Sequence, residues 1–258
     1  MTRSHSAPET SARPATSRPS LDEALEAALA RWHRSSSPVT ILFSGGVDSG
    51  LIAWELRRRP STDLLTIGVD GAADLAAARD AAVRIGLPWS ATVVAPAELD
   101  EALRAGEPEF GSLPVAQRSL FLALSVAIGS AAAPDVLCGQ GADELFLGYA
   151  HFQALSPEAA GLRAASDLER LQTVDWPLTA RLAARQGRRV HAPYLDPTFV
   201  AAALALPLAE RMPDGAAKEA WRAWARERGL PAEIAGRPKR ALQYGTGIDR
   251  WLRRLTRP

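Results

Sequence analysis

One cysteine, Cys138, is too few for an intrachain disulfide framework or for a multi-cysteine zinc or cluster site. No apolar run is long enough to span a bilayer. The first residues lack the apolar centre of a signal peptide. A soluble, cytoplasmic protein with no membrane partner is therefore expected. An excess of either charge is missing too: 30 basic side chains against 29 acidic ones leave a formal +1. No global field would draw such a chain to nucleic acid or to an acidic membrane. What is present is ordinary globular material. With 47% hydrophobic and 23% charged residues a sizeable core is within reach, and 258 residues suit one large domain or two small ones. Residues 1–18 hold Ser, Thr, Pro and Arg but almost no large apolar side chain, and are expected to form a disordered tail.

The chain turns on Val39-Thr40-Ile41-Leu42-Phe43-Ser44-Gly45-Gly46-Val47-Asp48-Ser49-Gly50. Apolar and β-branched residues run into Ser-Gly-Gly, and a helix-compatible pattern follows, so the pattern predicts strand, tight turn and helix. Glycines at 45 and 46 would let the backbone approach a ligand closely. The N–H groups of the turn and of the first helical turn would then make an anion site. Ser44 and Ser49 would donate to phosphate oxygens. Asp48 suits a phosphate site only with a Mg²⁺ between carboxylate and phosphate. An ordinary βα turn with a serine cap is the plainer alternative.

Around this stretch, strands alternate with helices. Ser20 is placed to cap a helix from Leu21, with Asp22 and Glu23 in its first turn. Further strands are expected over 64–69, 89–94 and 135–138, with helices over 72–86, 96–105 and 115–130 and a Pro/Gly-rich loop over 106–114. The β-α-β-α-β order argues for an α/β fold, a parallel sheet covered on both faces. Beyond about residue 150 the strand signal almost disappears, and 157–187, 197–205, 216–228 and 247–255 read as helical. A second glycine turn, Gly139-Gln140-Gly141-Ala142-Asp143-Glu144, follows the strand that ends at Cys138. Two strands ending in such turns bring both turns to one carboxyl edge, where ligands bind in this class. Asp143 and Glu144 also read simply as acidic residues at a helix start.

SGGVDS resembles the pyrophosphate loop of the ATP pyrophosphatase superfamily, whose members cleave ATP between its α- and β-phosphates. No GK[ST] follows, so it is not a Walker loop. Gly139 through Tyr149 is similar to the SGEGADELFGGY signature of the asparagine synthetase C-terminal (synthetase) domain. Three further stretches resemble the same family in order and rough spacing: His191-Ala192-Pro193-Tyr194-Leu195-Asp196, Lys218 through Trp224, and Leu230 through Lys239. The likeness runs from about residue 39 to the end of the chain. It implies a Rossmann-like parallel sheet of the adenine nucleotide α-hydrolase-like kind, with an α/β part over about 19–150 and a helical part over about 151–258.

The resemblance also implies roles. Ser44, Gly45, Gly46, Asp48 and Ser49 would hold pyrophosphate and Mg²⁺, with Asp143 the second Mg²⁺ carboxylate and Gly139, Gln140 and Gly141 beside them. Leu42, Gly68 and Val69 would meet adenosine. Lys239 would lie against the α-phosphate and carbonyl, a place suited to a fixed ammonium; a solvated lysine in a basic tail is the alternative. Lys218 and Arg222, one helical turn apart, would face the phosphates or the acid, or else form a solvated helix face. Tyr194 reads as core and Asp196 as part of a local hydrogen-bond network.

Two departures stand out. The family's SGEG glutamate is Gln140 here, so any proton-abstracting role falls away or moves to Glu144. Thr2 follows Met1 where full asparagine synthetases begin a glutaminase domain with a catalytic cysteine, so hydrolysis of glutamine in cis is not expected. The implied activity is that of an ATP-dependent carbon–nitrogen ligase. It would adenylate a carboxylate and transfer it to ammonia or an amine, with a separate glutaminase as one source of ammonia. A tRNA-modifying enzyme with the same loop, and a non-catalytic nucleotide-binding partner or scaffold, are the alternatives.

Overall fold

The computed structural model describes residues 19–213, 218–238 and 241–256. The expected disordered tail and Lys239 lie outside the described residues. The first half of the chain runs α1 (Leu21–Arg34), β1 (Val39–Leu42), α2 (Val47–Glu55), β2 (Thr62–Gly68), α3 (Ala73–Ile85), β3 (Trp89–Val93), α4 (Pro96–Phe110), α5 (Val115–Gly129) and β4 (Asp135–Leu137). Then come α6 (Ala142–Leu145), α7 (Pro157–Arg170), α8 (Trp176–Arg185), β5 (Arg189–His191), α9 (Pro197–Ala205) and α10 (Leu208–Arg211). The chain closes with α11 (Glu219–Glu227), α12 (Ala232–Ala235), α13 (Leu242–Gly245) and α14 (Ile248–Leu255). All strand pairs are parallel, in the order β3-β2-β1-β4-β5.

Local chemistry explains the ends of these elements. Ser20 Oγ accepts from the Glu23 N–H, and the Glu23 carboxylate accepts from the Ser20 N–H, so α1 starts in a reciprocal capping box. Side chains of β1 and β2 alternate between two cores, as the period of a strand requires. Val39, Ile41 and Leu64 join Leu25, Leu51 and Trp221 in one layer. Leu65 and Ile67 join Phe121, Leu122 and Ile248 in the other. Each fully buried large apolar side chain contributes about 1.5–3 kcal/mol. β1 lies between β2 and β4, with Val39 beside both Thr62 and Asp135. From β1 the chain moves one way to β2 and later returns on the other side as β4. The crevice at the carboxyl ends of β1 and β4 is therefore the topological switch point.

Four departures from the sequence reading have physical causes. Helix α4 continues through Pro108 to Phe110, where a loop over 106–114 is predicted. Phe110 is fully buried and stacks on Phe121 at 6.3 Å between centroids, which holds the last turn in place despite the proline. β5 is a strand between two predicted helices, in a region where the strand signal almost disappears; three residues with one buried side chain, Val190, give too little pattern to read. The helical stretch over 157–187 is broken by a π-helical turn, Leu171–Asp175. The break falls just before Pro177, which has no N–H to offer the Thr173 carbonyl. Finally α11 starts only at Glu219, because Lys218 takes a left-handed conformation with φ +66°. Among the described residues no single helix is long and apolar enough to cross a membrane.

Candidate active site

The turn after β1 is held from beneath. The Phe43 N–H donates to the Leu65 carbonyl at 2.8 Å, and Thr66 Oγ1 donates to the Phe43 carbonyl at 2.5 Å. Gly45 has φ +72°, and a Cβ there would stand 2.9 Å from the Ala77 carbonyl oxygen and from Ala78 Cα. The loop thus rides against α3 in a conformation only glycine takes easily. Ser49 Oγ accepts from the Ser44 N–H at 3.2 Å, and Ser44 Oγ accepts from the Gly46 N–H at 3.3 Å. The two hydroxyls lie 3.4 Å apart, so at most one hydroxyl proton is used between them. The other remains to be donated to an anion above the start of α2.

Two carboxylates close on one ammonium beside this loop. Lys218 Nζ donates to Asp48 Oδ2 at 2.5 Å and to Asp143 Oδ1 at 2.6 Å. Asp48 comes from the first turn of α2 and Asp143 from α6, the elements that follow β1 and β4. Asp48 is fixed further by Trp221 Nε1, which donates to Oδ1 at 2.9 Å, and by the Tyr194 hydroxyl, which donates to its carbonyl at 2.8 Å. Lys218 is 1% exposed. Burial pushes its ammonium below the ordinary lysine range, while Asp48 and Glu144 pull it back up. A solvated helix face, one of the two readings open to Lys218, does not describe this residue. The donor set fits Mg²⁺: hard carboxylate oxygens from two elements already gathered around a positive charge. Among the described residues no cluster of three or more His, Cys, Asp or Glu could hold a metal. Phosphate oxygens and water would have to complete the shell.

A Cβ on Gly148 would fall 1.9 Å from Asp143 Oδ1 and 3.1 Å from Asp143 Cα. Gly148→Ala is therefore expected to turn the Asp143 carboxylate away from Lys218. Metal-dependent nucleotide binding should fall at least about tenfold, measurable by calorimetry with Mg·ATP. Unchanged binding would mean that Asp143 takes no part in it.

On the outer side of the loop a small hollow is bounded by Ser44, Gly46, Lys218, Arg222 and Arg237. Arg237 Nη1 donates to the Ser44 carbonyl and Nη2 to Asp74 Oδ1 at 2.7 Å. Arg222 Nε is buried without a hydrogen-bond partner among the described residues. A buried guanidinium N–H with nothing to bind is costly unless an anion visits.

A larger cavity opens on the other side. Leu42, Ser44, Asp48, Ser49, Gly139, Gln140, Gly141, Asp143 and Glu144 all line it. Gly46 and Lys218 line the small hollow instead. Gly68 and Val69 line neither. The Gly68 carbonyl accepts from Val94 N and the Val69 N–H donates to the Thr246 carbonyl, both at 2.9 Å. β2 stays paired to Gly68, so its cavity residues lie earlier, at Leu65, Thr66 and Ile67. Tyr149 donates to Glu144 Oε1 at 2.6 Å. Burial pushes the Glu144 carboxyl above its usual range, opposed by Tyr149 and Lys218. Burial also pushes the Cys138 thiol to about 12, so it is no nucleophile. Sequence reasoning gave no role to Trp221, Arg237, Asp74 or Asp175. Trp221 and Arg237 stand inside quoted family-like stretches, a usable signal; Asp74 and Asp175 carry none.

Known proteins resemble this chain over most of its length. A family model described as asparagine synthase matches residues 20–187 and 163–257. A putative glutamine-hydrolyzing asparagine synthetase 1 of Methanocaldococcus jannaschii is 25% identical over 92% of this chain and 51% of its own length. The glutamine-hydrolyzing asparagine synthetase 2 of Lotus japonicus is 26% identical over 90% of this chain and 43% of its own. The chain thus spans about half the length of the curated relatives it matches. Among solved structures, an NH3-dependent NAD synthetase from Campylobacter jejuni is 19% identical, with 64% of this chain and 91% of that one covered and a TM-score of 0.38.

Proposed function

Since the chain belongs to the asparagine synthase family, we propose that it is an ATP-dependent amidoligase that forms AMP and pyrophosphate. A substrate carboxylate oxygen attacks the α-phosphorus of ATP, the bond to the β-phosphate breaks, and pyrophosphate leaves. Ammonia or an amine then attacks the acyl carbon, AMP departs, and the amine gives up a proton. The observation that supports this reading best is the pairing of Asp48 and Asp143 on one cation beside the Ser44–Ser49 loop.

In this reading the chain's own groups divide the work. The spare serine hydroxyl, the loop N–H groups, Lys218 and Arg222 hold the β- and γ-phosphates. Asp48 and Asp143 hold Mg²⁺, which when bound neutralises phosphate charge. Leu42, Leu65 and Ile67 bound the space for adenosine. Lys239 is assigned to the α-phosphate and developing carbonyl charge. Catalysis is then positioning and charge stabilisation, with no covalent enzyme step. Ammonia is taken up free or as released by a glutaminase activity.

Acid-dependent exchange of labelled pyrophosphate into ATP, with Mg²⁺ present, tests the reading. Exchange that requires a small carboxylic acid is expected. ADP and phosphate as products, or no exchange with any acid, would sink it. Exchange that requires tRNA instead would move the chain to the tRNA-modifying enzymes.

A further inference from the structure

The larger cavity is one-sided in charge. Among the described residues that line it there is no Lys, Arg or His, while five are acidic: Asp48, Asp74, Asp143, Glu144 and Asp175. The cations of this region, Lys218, Arg222 and Arg237, line the small hollow behind the loop instead. Asp48 and Asp143 meet Lys218, and Asp74 meets Arg237. Glu144 is turned to the Tyr149 hydroxyl. That leaves Asp175. It closes the π-helical turn Leu171–Asp175, whose first residue lines the same cavity. Single π turns of this kind recur at functional sites because they re-aim side chains.

Asp175 is short of partners. Its Oδ2 stands 3.5 Å from Nε of Arg170, a half-exposed side chain. No described residue donates to its Oδ1. Burial raises its carboxyl, and Arg170 only partly opposes this. A second, independent sign comes from Gln243. That side chain lines the cavity, is 8% exposed, and its Oε1 is buried without a partner among the described residues. The cavity therefore offers acceptors that await hydrogen-bond donors, against apolar walls that include Leu124 and Leu171. A dicarboxylic acid would set its second carboxylate against this wall, where the described cation Arg170 is already paired with Asp175. A donor-bearing cation would find Asp175.

Resting on the acyl-transfer reading above, we propose that the acid activated here is a monocarboxylic acid with a basic amino or guanidino group at its far end. Asp175 receives that group.

The test uses matched trios: γ-aminobutyrate, butyrate and succinate, and the same trio lengthened by one and by two methylenes. Each acid is measured in ATP–pyrophosphate exchange and, with AMP present, by calorimetric titration. The basic acid should exceed both partners of its trio by at least about tenfold, the scale of one hydrogen-bonded charge pair. Asp175→Asn should erase the ratio between basic and plain acid, and Asp175→Glu should keep it. A ratio taken within one variant is indifferent to lost stability. Dicarboxylates ranked first, or a basic-acid preference that survives Asp175→Asn, would overturn the proposal. If calorimetry ranks the basic acids first while no acid supports exchange, acyl transfer falls and the pocket assignment stands. An acid panel that neither binds nor reacts overturns both.

Discussion

Lys218→Met should cost the ligand-free protein about 3–5 kcal/mol, the usual penalty for removing one partner of a buried ion pair, and Mg²⁺ should return part of that loss. The wild-type ammonium is 1% exposed and serves two carboxylates at once. Methionine keeps the apolar stem and the same left-handed backbone strain, so the change isolates the charge. It leaves Asp48 and Asp143 facing each other with Glu144 near. In the variant this repulsion raises a carboxyl above its unfolded value, so the folded state binds more protons than the unfolded one. The stability deficit is then smallest at low pH and grows as pH rises through that raised value. Urea denaturation at several pH values, with and without Mg²⁺, reads both effects. Mg²⁺ that stabilises the variant no more than the wild type would show that the carboxylate pair does not hold the metal.

This residue also shows where sequence reading ends. Both turns of the site were legible because each is a local pattern: apolar strand, glycines, acid, helix. Their adjacency followed from the βαβ alternation, since parallel strands must put both turns at one edge. The spacing of Lys218 and Arg222 reads as one face of a helix, but neither the left-handed turn at Lys218 that precedes the helix nor the burial of its side chain is legible there. The partners of Lys218 lie 170 and 75 positions away in sequence, and the donor on Asp48 lies 173 away. Whether a lysine is solvated or buried is decided by such partners, not by its own neighbours. The wall at Asp175 was illegible for a related reason. Its segment has an ordinary amphipathic helical pattern, and nothing in that pattern announces a π turn. β5 was lost to brevity, and the end of α4 to a proline that packing of Phe110 overrides.

The separation of charge follows from the same topology. Cations from α11 and from the segment after α12 approach the loop from behind. The cavity wall is drawn from α5, α6, the π turn and α13. A polyphosphate thread from the small hollow into the cavity would pass the Asp48–Asp143 pair at the point where the sign of the charge changes. That arrangement suits a reaction in which the phosphates end on one side and the acyl group on the other.

Asp48→Asn should be the most damaging single change for activity, cutting pyrophosphate exchange about 10²–10³-fold, the range seen when one preorganised charge-stabilising group is lost. The change is isosteric but not chemically neutral. Asp48 uses both oxygens as acceptors, Oδ1 from Trp221 Nε1 and Oδ2 from Lys218 Nζ. Asparagine has one acceptor oxygen, so whichever way the amide turns its NH₂ group faces a donor. A stability loss of about 1–3 kcal/mol should accompany the lost activity. The two losses separate in the double variant with Trp221→Phe. Phenylalanine keeps the ring stack on Phe146 and Trp224 but removes the indole donor. The asparagine NH₂ can then turn to that side while its oxygen meets Lys218. The double variant should be less destabilised than the sum of its singles, the signature of coupled neighbours. Its exchange activity should stay as low as that of Asp48→Asn, because the missing negative charge is not restored. Exchange that returns along with stability would reduce Asp48 to a packing residue and remove it from the metal–phosphate site.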